Sequence, residues 1–228
     1  MEFEIERRPY DRELFTKDTL ELNPNTITCL VGCNGSGKTT LVFEIKHRLD
    51  KLEAVDVCVG YPHKGIHNDE LDFAKKEYFY ADFSKKTDDS KDGFDWMMLK
   101  ANVAYSSTGE GISYRLGRTL ERLGRAVHDP ELKGKSLFVF FDDCDAGTSL
   151  DKIVEIKDVF NLIAEDCQKQ GINYYIVITA NSFEMCRDID CISVHDFKHL
   201  KFTDYEEYKN FVLESAVNKE HSYKEAEQ

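Results

Sequence analysis

Gly32-Cys33-Asn34-Gly35-Ser36-Gly37-Lys38-Thr39 fits the pattern G-x-x-x-x-G-K-[ST] at every fixed position. The flanks narrow the fold further. Thr26-Ile27-Thr28-Cys29-Leu30-Val31 reads as a buried strand after a turn at Asn23-Pro24-Asn25, and Leu41, Val42, Ile45 and Leu49 recur at helical spacing behind the loop. A strand, a glycine-rich turn and a helix in that order form a phosphate-binding unit. Glycines let the backbone curl so that several N–H groups converge on one point, and the helix start adds partial positive charge there.

The remainder of the chain repeats strand and helix in alternation. Strands are expected at 3–5, 19–22, 54–59, 78–83, 137–141 and 174–179. Helices are expected at 94–103, along the stripe Ile112, Leu116, Leu120, Leu123 and Val127, and along Ile153, Ile156, Phe160, Ile163 and Cys167, with a stop near Gly171. Asp129-Pro130 closes the second of these helices. Thr203-Asp204-Tyr205-Glu206 has the spacing of a capping box and opens a last helix toward Ser215. Such alternation predicts an α/β fold with a mainly parallel sheet.

Composition bounds the partners. A formal charge of −13 opposes unaided binding to nucleic-acid phosphates, and 41% hydrophobic residues suffice for one sizeable core. No apolar run is long enough to cross a bilayer, and Met1-Glu2-Phe3-Glu4 lacks the features of a secretory signal, so a cytoplasmic protein is expected. Seven cysteines without a CxxC pair read as reduced, partly buried thiols. The seven histidines show no metal-ligand spacing. Residues 219–228 are polar and expected to form a disordered tail.

The chemistry follows from the loop. Lys38 reaches β- and γ-phosphates, and the Thr39 hydroxyl ligates Mg²⁺. Asp142 ends an apolar strand, where a second acid is needed to hold the ion through water, and Asp143 follows as a candidate general base. A nucleoside triphosphate with Mg²⁺ is therefore expected, and the loop by itself does not choose between the nucleotides that GTPases, kinases, motors and ATPases use. Tyr10 and Phe15 are candidates to stack on adenine, beside the plainer expectation that each is packing.

From here a resemblance becomes specific. The segment 32–40, GCNGSGKTT, followed by Ser107-Thr108-Gly109-Glu110 and then by Asp142-Asp143-Cys144-Asp145-Ala146-Gly147 with Ser149-Leu150-Asp151, resembles the ABC ATPase superfamily in motif order. The likeness is to its soluble SMC/RecF-like and small phage or bacterial branches, and it spans nearly the whole chain. It implies an ABC-type nucleotide-binding domain over 1–218, with N-terminal antiparallel strands and a small helical lobe at about 94–128. It implies nucleotide contacts from Gly32, Asn34, Gly35, Ser36, Gly37, Lys38, Thr39 and Thr40. It also implies a head-to-tail homodimer in which Ser107, Gly109 and Glu110 complete the partner's site in trans, with Asp151 near the dimer axis.

Three positions depart from that family. Asp143 stands where a glutamate is usual, no glutamine occurs between the loop and Cys167, and Ala180-Asn181 stands where a switch histidine is usual. Asp82 and Ser84 are candidate substitutes for the glutamine, and Asn181 can hydrogen-bond a γ-phosphate. Slow hydrolysis is the expectation. Only residues 40–106 separate the loop from Ser107, without sustained heptads, so no long coiled coil is inserted.

Arg115, Arg118, Arg122 and Arg125 share one helical face, which is most simply a solvated surface and otherwise suits nucleic-acid phosphates or an acidic protein effector. The leading expectation is a slowly hydrolysing, ATP-dependent dimerisation switch in DNA transactions or phage–host conflict. The alternatives are the ATPase subunit of a membrane transporter and a non-hydrolysing ATP-binding scaffold.

Overall fold

The computed structural model describes residues 1–9, 12–51, 79–82, 123–124, 126–145 and 148–226. The described strands are β1 (Glu2–Glu4), β2 (Thr19–Glu21), β3 (Thr26–Val31), β4 (Phe79–Asp82), β5 (Ser136–Asp142), β6 (Asn173–Thr179), β7 (Asp190–Ser193) and β8 (His199–Leu200). The helices are α1 (Lys38–Lys51), α2 (Leu150–Gln170), α3 (Phe183–Cys186) and α4 (Tyr205–Ala226). A single sheet carries the order β4-β5-β6-β3-β7-β8, parallel throughout except for β8, and β1 with β2 forms a separate antiparallel pair. The chain is thus mixed α/β with a mainly parallel sheet.

Parallel strands covered on both faces need apolar residues at consecutive positions. In β5, Leu137, Val139 and Phe141 enter one core, and Phe138 and Phe140 enter the other. The first core lies against α2, whose Ile153, Ile156, Phe160, Ala164 and Cys167 are buried at spacings of three and four. The second lies against α1 through Leu41, Val42, Ile45 and Leu49, and against the β1–β2 pair through Phe3 and Leu20. Phe138 stacks on Tyr175 of the adjoining strand with ring centroids 4.3 Å apart. Burial of each such large side chain stabilises by about 1.5–3 kcal/mol.

The expected helix stop at Gly171 is present. Gly171 takes φ 71°, and its N–H and that of Ile172 close on carbonyls of the last turn of α2. Residues 123–124 and 126–127 are helical, and the chain turns at Asp129 into a short 3-10 turn, Pro130–Leu132, where Asp129-Pro130 was expected to close the helix.

At the C-terminus two expectations change. The cap of α4 is Asp204, whose carboxylate accepts the N–H of Glu207 at 3.0 Å, one residue later than the Thr203 box suggests; Thr203 instead bonds the Glu207 carboxylate at 3.4 Å. And α4 runs on to Ala226 through residues expected to be a disordered tail. Lys, Glu and Ala favour helix even without an apolar stripe, and Lys219 is anchored to the carbonyl of Asn34 at 2.9 Å.

The expected strand at 54–59, the helix at 94–103, Ser84, Tyr10, Ser107, Gly109, Glu110, Arg115, Arg118, Arg122 and Arg125 lie outside the described residues. Among the described residues no helix is long and apolar enough to cross a membrane.

Candidate functional site

The site lies at the C-terminal ends of β3, β5 and β6, the edge at which open α/β sheets place ligands. β3 ends at Val31 and the chain turns through the glycine-rich loop into α1. Gly32 is required by contact: a Cβ there would sit 2.5 Å from the Ser36 hydroxyl and 2.9 Å from a Val194 methyl. Gly37 is required by conformation, with φ 100°, and by the Leu14 and Phe15 side chains packed beneath it. Gly35 is also left-handed, with φ 75°. Because α1 starts at Lys38, the N–H groups of Lys38, Thr39 and Thr40 have no acceptor inside the helix. No acidic residue occupies that first turn, so the positive end of the helix is uncompensated by its own side chains.

Lys38 folds back under the loop. Its ammonium donates to the carbonyls of Gly32 at 2.9 Å and Cys33 at 3.1 Å. Burial lowers its pKa from the ordinary value, opposed by the nearby Cys33, Cys29, Asp143 and Asp145. A charged group in this position is held ready for a stronger acceptor than a peptide carbonyl.

Opposite the loop, β5 delivers three acidic residues with distinct surroundings. Asp142 is only 2% exposed and accepts hydrogen bonds from Thr39 Oγ1 at 3.1 Å and from Thr179 Oγ1. Asp143, the residue after β5, takes a left-handed backbone, φ 57°. Its N–H donates to Thr179 Oγ1 at 2.7 Å and its carboxylate accepts from Asn181 Nδ2 at 2.8 Å. Asp145 accepts the backbone N–H groups of Asn181 and Ser182 at 2.8 and 2.6 Å. Thr179, at the tip of β6, therefore joins Asp142 to Asp143, and Asn181 is fixed from both ends, since Tyr208 of α4 donates to its carbonyl at 2.7 Å.

These groups border an open cleft of about 510 Å³, within the range of small-molecule sites. Asn34, Gly35, Gly37, Lys38, Thr39 and Thr40 form one wall, and Asp143, Thr179 and Asn181 form the other. Pro9, Arg12 and Leu14 close the end. The expected site residues of the loop, of β5 and after β6 are thus brought together. Gly32 and Ser36 do not line the cleft; the buried Ser36 hydroxyl lies close to Gly32, and the residue borders a separate cavity of about 20 Å³ shared with Ser215, Lys219 and Ser222 of α4. Phe15 is fully buried, 5.5 Å from the Phe197 ring, which corrects the adenine-stacking expectation in favour of packing.

Thr179, Asp145 and Arg12 were not singled out from the sequence. Thr179 carried a signal, a hydroxyl closing a wholly apolar strand; Arg12 carried none, because only the fold lays the N-terminal segment beside the loop. β4 pairs so that Asp82 is level with Asp142, which puts this candidate substitute for the missing glutamine at the same sheet edge. Asp151 is exposed in the first turn of α2.

The six described cysteines are free and buried. Burial pushes the Cys29 and Cys144 thiols well up and that of Cys167 to about 12. Among the described residues, no group of three or more His, Cys, Asp or Glu is arranged to hold a metal ion. No protein-family model matches the chain, and no curated protein matches it in sequence.

Proposed function

We propose that the chain is an ABC-type P-loop ATPase that binds ATP with Mg²⁺ and hydrolyses it slowly as a dimerisation switch. The observation that carries this reading is the Thr39–Asp142 hydrogen bond at 3.1 Å, directly beneath a glycine-rich helix start that lacks an anion of its own. A hydroxyl beside a buried carboxylate suits Mg²⁺, which keeps several waters and takes only one or two protein oxygens alongside phosphate oxygens. Thr39 would ligate it directly and Asp142 through water. Once bound, the ion neutralises charge on the β- and γ-phosphates.

The protein groups have separate tasks. Lys38 exchanges its two carbonyl acceptors for phosphate oxygens. The N–H groups at the start of α1 hold the β-phosphate. Asp143 takes a proton from the attacking water as that water's oxygen bonds to the γ-phosphorus; the bond to the bridging oxygen breaks, and ADP leaves with the electron pair. Asn181, its backbone held by Asp145 and Tyr208, donates its side-chain amide to Asp143 at the cleft, from where it would hydrogen-bond a γ-phosphate.

The resemblance adds a second subunit whose Ser107, Gly109 and Glu110 close the site. Leu150 and Val154, one turn apart and exposed at the start of α2, suit a partner surface there. Equilibrium ATP binding, phosphate release, and light scattering with and without ATP test the reading on the wild type, Lys38→Ala and Asp143→Asn. ATP-dependent dimers with slow phosphate release support it; absence of ATP binding to the wild type sinks it.

One observation favours the non-hydrolysing scaffold as a second reading. Asp143 is a methylene shorter than the glutamate usual in the family, and its carboxylate is already engaged by Asn181. ATP binding and dimerisation with no phosphate release above Asp143→Asn would select it.

A further inference from the structure

The last helix lies against the back of the site, and its contacts repeat along one face. Tyr208, Ser215 and Lys219 are seven and four residues apart, so they lie two turns and then one turn apart on a single side of α4. Tyr208 donates to the carbonyl of Asn181. Two turns on, the buried Ser215 accepts the N–H of Cys33 at 3.0 Å. One turn further, the Lys219 ammonium donates to the carbonyl of Asn34 at 2.9 Å and passes 3.7 Å from where a side chain on Gly35 would begin. Ser36, Ser215, Lys219 and Ser222 all border the small cavity between loop and helix.

We infer that Ser215 and Lys219 are positioning residues that hold the 33–35 stretch of the loop in its curl, so that α4 sets the affinity of the site for polyphosphate. The inference rests on the nucleotide reading above. Its physical basis is preorganisation. The N–H of Cys33 and the carbonyl of Asn34 point outward from the loop, and an outward group that bonds to water leaves its peptide free to rotate. A group that bonds to a helix fixed in the core does not. With both ends of the 33–34 stretch tied, less conformational freedom is lost when the inward N–H groups meet phosphate. Lys219 adds a positive charge on the outer side of the loop, which favours the same ligand.

Neither residue lines the cleft itself, so their effect is on affinity and geometry rather than on bond making.

The test measures the dissociation constant of a fluorescent ATP analogue with the full chain, in Mg²⁺, for the wild type, Ser215→Ala, Ser215→Thr, Lys219→Met and Leu213→Ser. Ser215→Ala and Lys219→Met are each expected to weaken binding about five- to tenfold, the scale of one hydrogen bond. Their KM for ATP rises by more than kcat falls. Ser215→Thr keeps the hydroxyl and recovers at least half of the lost affinity. Leu213, 58% exposed on another face of α4, serves as the control and is expected to bind within twofold of the wild type. Lys219→Met changes a partly exposed side chain and keeps the inference testable if Ser215→Ala folds poorly. Binding within twofold of the wild type in Ser215→Ala or Lys219→Met overturns the inference, as does an equal loss in Leu213→Ser. A wild type that binds no nucleotide overturns the underlying nucleotide reading instead.

Discussion

Thr39 and Asp142, 103 positions apart in the chain, meet side chain to side chain at 3.1 Å, and Thr179 shares the same carboxylate oxygen. One buried acid thereby ties together the tips of α1, β5 and β6. Asp142→Ala orphans two hydroxyls and is expected to cost about 2–3 kcal/mol, read from urea unfolding. Asp142→Asn keeps the volume and one acceptor, and is expected to stay folded while ATP affinity loses its dependence on Mg²⁺. Retained dependence in Asp142→Asn would count against an ion at this position.

Lys38 gives a pH signature. Its ammonium is disfavoured by burial, so the folded chain binds fewer protons at this site than the unfolded chain. Stability therefore rises with pH through the window just below the ordinary 10.5, and the cost of the buried charge is fully present below the lowered value. Lys38→Met is expected to match or exceed the wild type in Tm at neutral pH without ligand, to lack that alkaline rise, and to show no ATP-induced Tm shift. Thermal unfolding between pH 7 and 10.5, with and without ATP, checks all three.

Asp143 separates backbone from side chain. Its left-handed conformation is tolerated by Asn and strongly disfavoured for β-branched residues. Asp143→Asn keeps an acceptor for Asn181 and is expected within about 0.5 kcal/mol of the wild type in stability, with phosphate release reduced at least tenfold. Asp143→Val is expected to lose about 1–2 kcal/mol from backbone strain. Equal stabilities in denaturant titrations would show that the turn relaxes.

Gly32→Ala tests the tightness of the loop. The added methyl meets Ser36 at 2.5 Å and Val194 at 2.9 Å, so one of them must move. A loss of about 1–3 kcal/mol is expected from overpacking, with ATP affinity falling alongside it because Ser36 and Gly32 itself belong to the loop. Calorimetric Tm together with binding titration reports both.

The elements legible in the sequence are those whose signal is local. β3, the glycine-rich loop and α1 were marked by the motif itself, and β5 and β6 by unbroken apolar runs that only a doubly covered strand requires. β7 and β8 were missed. Asp190-Cys191-Ile192-Ser193 is short and half polar, and it becomes a strand because β3 offers it a free parallel edge.

The same distinction divides the site. Lys38, Thr39, Asp142 and Asp143 were read from spacing and strand ends. Arg12, Ser215, Lys219 and Tyr208 reach the site only through tertiary packing, from a segment before the loop and a helix long after it. Phe15 went the other way. An aromatic upstream of the loop suits a base as well as a core, and only the position of Phe197 decides between them.

The strand order also governs when the site can exist during synthesis. β3 lies between β6 and β7, with Thr26 paired to Tyr175 and Thr28 to Asp190. A ribosome that has released the loop and α1 has yet to make either neighbour, and the two open edges of β3 must wait for more than half the chain. Contacts so distant in sequence form slowly and leave strand edges exposed meanwhile. A nascent chain ending before β6 would therefore carry the complete loop sequence without a loop to bind anything, and would be the form most prone to aggregate. On the proposed nucleotide reading, the site is complete only after the second half of the protein has folded back onto the first.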